Sequence, residues 1–307
     1  MPEVVISEFI DDAAVELLRA RFDTLYDPGL VEDPARLRDL LAGGARALIV
    51  RNRTQVSADL LGAGSALECV GRLGVGLDNI DMDTAAARGV AVYPATGANN
   101  ASVAEYVITA ALMLLRGAWL RSDDVAAGAW PRQQMMGREI GGKVLGLVGF
   151  GAIARDTAAR AAALGLQVVA HDPFLTPDDP AWAGTRAVDL ETLFATADVV
   201  SLHVPLTDAT RHQVNAARLA AMKPGAVLIN AARGGVVDEP ALADALRAGR
   251  LAGAALDVFE TEPLTAEAGG RFAGLNVLLT PHIAGVTAES NERVSALIAE
   301  KIAAHLG

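Results

Sequence analysis

The stretch KVLGLVGFGAIARDTAARAAALGLQVVAHD, Lys143–Asp172, reads as a strand, a glycine turn, a helix and a second strand. An apolar run, Val144–Val148, enters Gly149-Phe150-Gly151-Ala152-Ile153-Ala154, which is the pattern G-x-G-x-x-[GA]. Gly149 makes the tight turn, Gly151 lets a pyrophosphate approach the backbone, and small Ala154 permits close packing of helix on strand. A helix follows the motif, and its N-terminus offers free amides and a positive dipole end to the phosphates, with Ala152 and Ile153 among the expected cofactor contacts. The second strand ends on Asp172, about twenty residues further on, where a carboxylate accepts hydrogen bonds from ribose hydroxyls. No arginine stands beside Asp172 to receive a 2′-phosphate, so the stretch predicts NAD rather than NADP. Its simpler reading is a turn cap before Pro173.

The same alternation extends in both directions. After LQVVAHD come ADVVSLHVP, GAVLINAA, LAGAALDVF and NVLLTPH, each separated by a helical pattern, which fits a doubly wound parallel sheet. Before it, the runs EVVIS, ALIVR and ECVGRLG alternate with DDAAVELLRARF and DPARLRDLLAGG, which predicts a second, smaller parallel sheet. The amphipathic helix TAESNERVSALIAEKIAAHL closes the chain and can return to the first sheet. We therefore expect an α/β protein of two doubly wound domains. Residues 98–281 make a Rossmann-like domain; residues 1–97 with 282–307 make a discontinuous, flavodoxin-like one. The helix over Val103–Leu115 is apolar on nearly every side, which predicts burial between two subunits.

With 307 residues, 52% of them hydrophobic and 21% charged, the chain is long enough for two cores and far from disorder. A net charge of -11 disfavours nucleic acid and anionic membrane surfaces as partners. An anionic ligand therefore needs a local basic pocket. The start, MPEVVISEFIDDAAVELL, lacks a basic n-region, and Val103–Leu115 is short for a bilayer and carries Glu105. A cytoplasmic protein is expected. The single cysteine, Cys69, reads as a buried small hydrophobe, and five scattered histidines predict no metal site.

Three strand ends carry charged or polar groups to one sheet edge: Arg233 in LINAARGG, Asp257 and Glu262 in ALDVFETEP, and His282 in LLTPHIAG. Ligands of open α/β sheets bind outside the carboxyl ends of the strands. Singly, each has an ordinary reading as a surface ion pair or a solvated loop residue.

In order, G-x-G-x-x-[GA], HVPLT, NAARGGVVDE, GAALDVFETEP and TPHIAG resemble the D-isomer-specific 2-hydroxyacid dehydrogenase family, and RLGVGLDNID extends the likeness to nearly the whole chain. The resemblance implies that Arg233 binds a small 2-hydroxy or 2-oxo acid, that His282 is the acid/base and that Glu262 is its partner. It also implies that His203, Val204 and Pro205 border the nicotinamide of NAD, with Ala231 and Ala232 lining its pocket. Asp257 would meet the carboxamide, and His282 and Gly285 would also contact the cofactor. Two departures stand out: Ala154 replaces the usual third glycine, and Ala152 replaces a common arginine. Formate dehydrogenases are expected to carry glutamine at Glu262, so the carboxylate favours a hydroxyacid.

Successive amides of Val75 and Gly76 form a candidate nest for the substrate carboxylate. Arg51 and Arg53 in VRNRTQV, and Arg132 in GAWPRQQMMGREIGGK, resemble basic segments of phosphoglycerate dehydrogenases, the last one donated by a neighbouring subunit of a homodimer. That implies a second anion, as in 3-phosphoglycerate or 3-sulfolactate. With a single carboxylate clamp the expected activity is instead glyoxylate or hydroxypyruvate reduction. An NAD-sensing binding protein is the alternative of a different class.

Overall fold

Short strands, all paired in parallel, build two separate sheets in the computed structural model, which describes residues 1–307 apart from the side chains of 118 and 120. The chain divides into two units, Met1–Asn99 with Gly285–Gly307, and Asn100–Ala284. The sequence reading put these boundaries at 97/98 and 281/282.

The first unit contains β1 (Val4–Ile6), β2 (Thr24–Tyr26), β3 (Ala47–Val50), β4 (Cys69–Arg72) and β5 (Ala91–Pro94), in the order β2-β1-β3-β4-β5. This is the flavodoxin-like order. Side chains alternate between two buried faces, as a parallel sheet requires. Val4, Ile6 and Ile49 face the helix Asp12–Arg19 and the last helix, Ala288–Leu306; Val5, Leu48 and Val50 face Leu37, Leu41, Leu60 and Leu61 on the opposite side. The last helix lies so close to β4 that a Cβ on Gly71 would stand 2.6 Å from Ile298 Cγ2. Glycine is therefore demanded at that contact, and the first unit is discontinuous in sequence. Cys69 is fully buried, and burial pushes its thiol up to about 12, with Glu68 adding to the rise. It is a core hydrophobe, as the sequence suggested.

The second unit contains β6 (Val144–Val148), β7 (Gln167–His171), β8 (Arg186–Ala187), β9 (Val199–Leu202), β10 (Val227–Asn230), β11 (Gly253–Leu256) and β12 (Val277–Leu279). Their order, β12-β11-β10-β9-β6-β7-β8, reverses direction between β6 and β9, the Rossmann-like switch point where such sheets bind ligands. Leu228 and Val148 lie on one face with Leu193, Phe194, Leu219 and Leu242, whereas Leu145, Leu147 and Ile229 lie on the other with Val107, Ala111, Ala154 and Ala158.

The helix Asn100–Arg116 thus covers Val107, Ala110, Ala111, Leu114 and Leu115 inside its own unit, against the helix Ala152–Ala163 and the sheet. An Arg160–Glu105 ion pair of 3.1 Å joins the two helices at their surface. The expectation that this helix needs a second subunit for cover is corrected to that extent, because periodicity reveals an apolar face but not the neighbour that covers it.

The strands that the apolar runs did not reveal are β2, β5 and β8, and each lies at a sheet edge. Their residues are half-buried or exposed, so they lack the continuous apolar run that burial on both faces produces.

Candidate active site

Every strand of the second sheet points its carboxyl end the same way, so the loops after β6, β7, β9, β10, β11 and β12 share one edge. At β6 the chain turns at Gly149, whose φ is +87°, and a Cβ there would meet the His203 carbonyl oxygen at 2.6 Å. Positive φ and close approach both exclude larger residues. Gly151 differs: its φ of -70° suits any residue, and a Cβ would find open space. No packing inside the protein demands a glycine there, whereas a phosphate resting on the backbone does. Gly151 also leaves the helix Ala152–Ala163 without a side-chain cap, so the first-turn amides, those of Ala152 and Ile153 among them, remain for an anion. These features fit the pyrophosphate of a dinucleotide.

Asp172, just beyond β7, accepts the Phe150 amide at 2.9 Å through one oxygen and the Phe174 amide at 2.9 Å through the other. The turn-cap reading and the ligand reading therefore coexist: the cap fixes the carboxylate beside the glycine turn, and each oxygen keeps a lone pair. After β9, the His203 amide donates to the Val148 carbonyl at 2.7 Å, and Val204 lies against the Gly149 turn. Pro205 follows exposed.

The His203 ring shares a 3.0 Å hydrogen bond with Ser201 Oγ, and burial pushes its pKa from 6.5 down to about 4. It is neutral at pH 7. Between those two values the unfolded chain holds the extra proton, so stability falls as pH drops through the window, by up to about 3 kcal/mol. Urea unfolding near pH 7 and near pH 5 measures this loss. His203→Gln should lose less stability between the two pH values than the unmodified chain does.

The loop after β10 is held by Asn230, buried at the strand end. Its Oδ1 accepts the Ala232 amide at 3.1 Å, and its Nδ2 donates to the Arg233 carbonyl at 2.9 Å. Ala231 and Ala232 lie half-buried on this loop, and an Arg233 guanidinium N–H donates to the Ala232 carbonyl at 2.6 Å. After β11 and β12, Glu262 Oε2 meets His282 Nδ1 at 2.8 Å, while Glu262 Oε1 accepts the Phe259 amide at 3.1 Å. Burial raises the Glu262 carboxyl, but its bond to His282, the His282 and Arg233 charges and the Phe259 amide outweigh that and hold it below the usual carboxylate range. An imidazole paired in this way through Nδ1 presents Nε2 for proton exchange.

His282 has φ +58°, a left-handed conformation that a non-glycine residue keeps only where its surroundings over-determine it. Asp257 supplies those surroundings. Its buried carboxylate accepts the Thr280 hydroxyl at 2.6 Å and the Ile283 and Ala284 amides at 2.8 Å each, and its carbonyl accepts the His282 amide at 2.8 Å. Expected from sequence at the carboxamide, Asp257 spends most of its acceptor capacity on the His282 turn. Tyr106 extends the chain with a 2.6 Å bond to Thr280 Oγ1. Burial holds the Tyr106 phenol above its ordinary range, against the Thr280 bond, so it stays a donor. Sequence reasoning did not single out Asn230, Thr280 or Tyr106; only Asn230 carried a signal, as an amide side chain at the end of a strand.

In the first unit, Val75 and Gly76 lie half-buried on the bend that follows β4. Buried Glu8 organises the other candidate loop, accepting the Arg51, Arg53 and Thr54 amides at 2.8, 3.2 and 2.9 Å. The Arg51 guanidinium donates to Asn291 Oδ1 at 2.6 Å and lies 5.6 Å from the Phe9 ring centre. Arg53 is exposed and pairs with Glu32. Gly285 is half-buried, and its carbonyl accepts Ser290 Oγ at 2.9 Å. Arg132 lies exposed in the second unit. His171 and His305 make ordinary polar contacts, to the Val188 carbonyl and the Tyr93 hydroxyl. No cluster of metal ligands occurs among the described residues.

A dinucleotide fold with a histidine–carboxylate pair and an arginine at the same sheet edge defines an NAD-dependent oxidoreductase of 2-hydroxy acids. Residues 108–284 match the model of the D-isomer specific 2-hydroxyacid dehydrogenase, NAD binding domain, and the chain belongs to that family. It is 56% identical to the (S)-sulfolactate dehydrogenase of Chromohalobacter salexigens, over 100% of this chain and 99% of that protein. A D-3-phosphoglycerate dehydrogenase of Mycobacterium leprae is 40% identical over 98% of this chain, but the match spans only 56% of that longer protein. The likeness to phosphoglycerate dehydrogenases is thus present but weaker than that to the sulfolactate enzyme. Among solved structures, the TT0316 protein from Thermus thermophilus superposes with a TM-score of 0.88 at 33% identity, covering 99% of this chain and 96% of that one.

Proposed function

We propose that this chain interconverts (S)-3-sulfolactate and 3-sulfopyruvate with NAD. Its end-to-end likeness to an (S)-sulfolactate dehydrogenase carries this reading. The handedness is consistent: the sulfur-bearing carbon outranks the carboxyl, so a D-configured sulfolactate takes the label S without changing shape. NAD, when bound, takes up or supplies the hydride at C2. His282 Nε2 takes the hydroxyl proton in oxidation and returns it in reduction, while Glu262 stabilises the imidazolium. Arg233 holds the carboxylate and the C2 oxygen by charge-assisted hydrogen bonds. In the first unit, the successive amides of Val75 and Gly76 are the candidate nest for a carboxylate.

Asp172 accepts the ribose hydroxyls and repels a 2′-phosphate. Asp172→Ala should therefore narrow the preference for NAD over NADP in steady-state kinetics. Equal use of both cofactors by the unmodified chain would contradict this role.

For the sulfonate we assign Arg53, whose exposed pairing with Glu32 is cheaply exchanged, and Arg132 from a second copy; Arg51 is tied to Asn291 and supports the loop. Exposed Trp130 and Met136 flank Arg132 and support a homodimer built through this segment. No helix among the described residues is long and apolar enough to cross a membrane. A cytoplasmic location is a separate part of this proposal.

The test is kcat/KM for sulfolactate, phosphoglycerate, glycerate and lactate under one condition. A charge-assisted contact is worth about 1.5–3 kcal/mol, so sulfolactate should exceed glycerate by roughly 10- to 150-fold, and Arg53→Ala should erase much of that margin. If glyoxylate or hydroxypyruvate outpaces sulfopyruvate in reduction, the single-clamp reductase replaces this reading.

A further inference from the structure

A second group of titratable side chains lies in the same unit behind the loops that carry Arg233 and Glu262. Glu239 is buried at the start of the helix Glu239–Arg247, and Glu260 follows Phe259 on the loop leading to Glu262. Each carboxylate accepts the other residue's amide: Glu239 Oε1 takes the Glu260 N–H at 2.6 Å, and Glu260 Oε1 takes the Glu239 N–H at 3.1 Å. Two carboxylates so close repel one another, and Arg271, 3.5 Å from Glu239 Oε2, offsets the cost, while His212 Nε2 lies 3.2 Å from Glu260 Oε1. His212 itself has φ +48°, with its amide donating to the Gly235 carbonyl at 2.8 Å. A strained residue is thus held between the Arg233 loop and Glu260.

One peptide group links the parts. A Cβ on Gly234 would stand 1.7 Å from the Phe259 carbonyl oxygen and 3.0 Å from the Glu260 nitrogen, so the residue after Arg233 rests directly on the Phe259–Glu260 peptide. The N–H on one side of that peptide goes to Glu239, and the Phe259 N–H on the other side goes to Glu262. We propose that Glu239 and Glu260, with His212, are positioning residues that set the spacing between Arg233 and the Glu262–His282 pair. The inference rests on the acid/base roles given above and deepens them. The clamp works through acceptor reach rather than charge. Gln at either position keeps an oxygen at the right distance, whereas Asp keeps the charge and loses one methylene of reach.

The experiment compares Glu260→Gln, Glu260→Asp, Glu260→Ala and Glu239→Gln with the unmodified chain on one 2-oxo acid, alongside NAD affinity from fluorescence titration. Misplacement of reacting groups by about 1 Å costs on the order of 100-fold. The Asp and Ala variants should therefore lose roughly 10- to 100-fold in kcat/KM, with kcat falling and the NAD dissociation constant within about twofold. Both Gln variants should stay within about threefold of the unmodified chain. Equal losses in Asp and Gln, or activity losses matched by loss of NAD affinity, would overturn the clamp. The Asp–Gln ordering decides the matter even where Ala fails to fold. Failure of the sulfolactate reading shows instead in the unmodified chain's substrate preference, and the two failures are distinct.

Discussion

His282→Ala should lower turnover by roughly 100-fold or more while NAD binds as before, the scale expected when a general acid/base is lost. The imidazole lies outside the glycine turn and caps no element, so its removal leaves the cofactor features at Gly149, Gly151 and Asp172 in place. Stopped-flow hydride transfer, measured beside NAD titration, separates the two effects. Near-normal turnover would refute the assignment, and loss of NAD affinity along with turnover would point to collapse of the Asp257-held turn instead. Glu262→Gln gives the complementary result. The Glu262 carboxyl lies below its ordinary range, so it is ionised at neutral and mildly acid pH and favours the imidazolium. Reduction draws a proton from this ring. Without the carboxylate that supports the imidazolium, kcat for reduction should fall while NAD affinity is kept.

Arg233→Ala should cost roughly 100- to 1000-fold in kcat/KM for any 2-oxo acid, the scale of removing a donor aimed at developing oxyanion charge. Arg233→Lys should recover only part of this, because an ammonium keeps the charge but not the two-pronged geometry. The Asn230 bonds to Ala232 and Arg233 make the guanidinium's base rigid, so the loss belongs to the missing donors rather than to a rearranged loop. A substitution that leaves kcat/KM within a few-fold would remove Arg233 from the substrate.

The strand–turn–helix–strand of Lys143–Asp172 was legible because a buried strand, a glycine turn and an acidic strand end each leave a local mark. Arg233, Glu262 and His282 stand just past apolar runs, but the family resemblance is what singled them out, and the structure pairs Glu262 with His282. What supports them was not legible. Thr280, Tyr106, Glu239 and Glu260 act through partners 21 to 174 positions away, and no periodicity encodes a hydrogen bond across loops. Asp257 shows the same limit from the other side: its place at the strand end was apparent, while its grip on the Ile283 and Ala284 amides emerges only once the strands are neighbours. The edge strands escaped notice because half-covered residues need not be apolar.

In the proposed reaction the C2 hydrogen of (S)-3-sulfolactate passes as hydride to NAD while His282 takes the hydroxyl proton. This transfer is tested most directly with (R)- and (S)-3-sulfolactate deuterated at C2, each incubated with NAD and the unmodified chain, with the reduced cofactor analysed by mass spectrometry. Deuterated NADH is expected from the S form alone, with little or none from the R form or from His282→Ala. Unlabelled or absent NADH from the S form, or equal transfer from both forms, would contradict it.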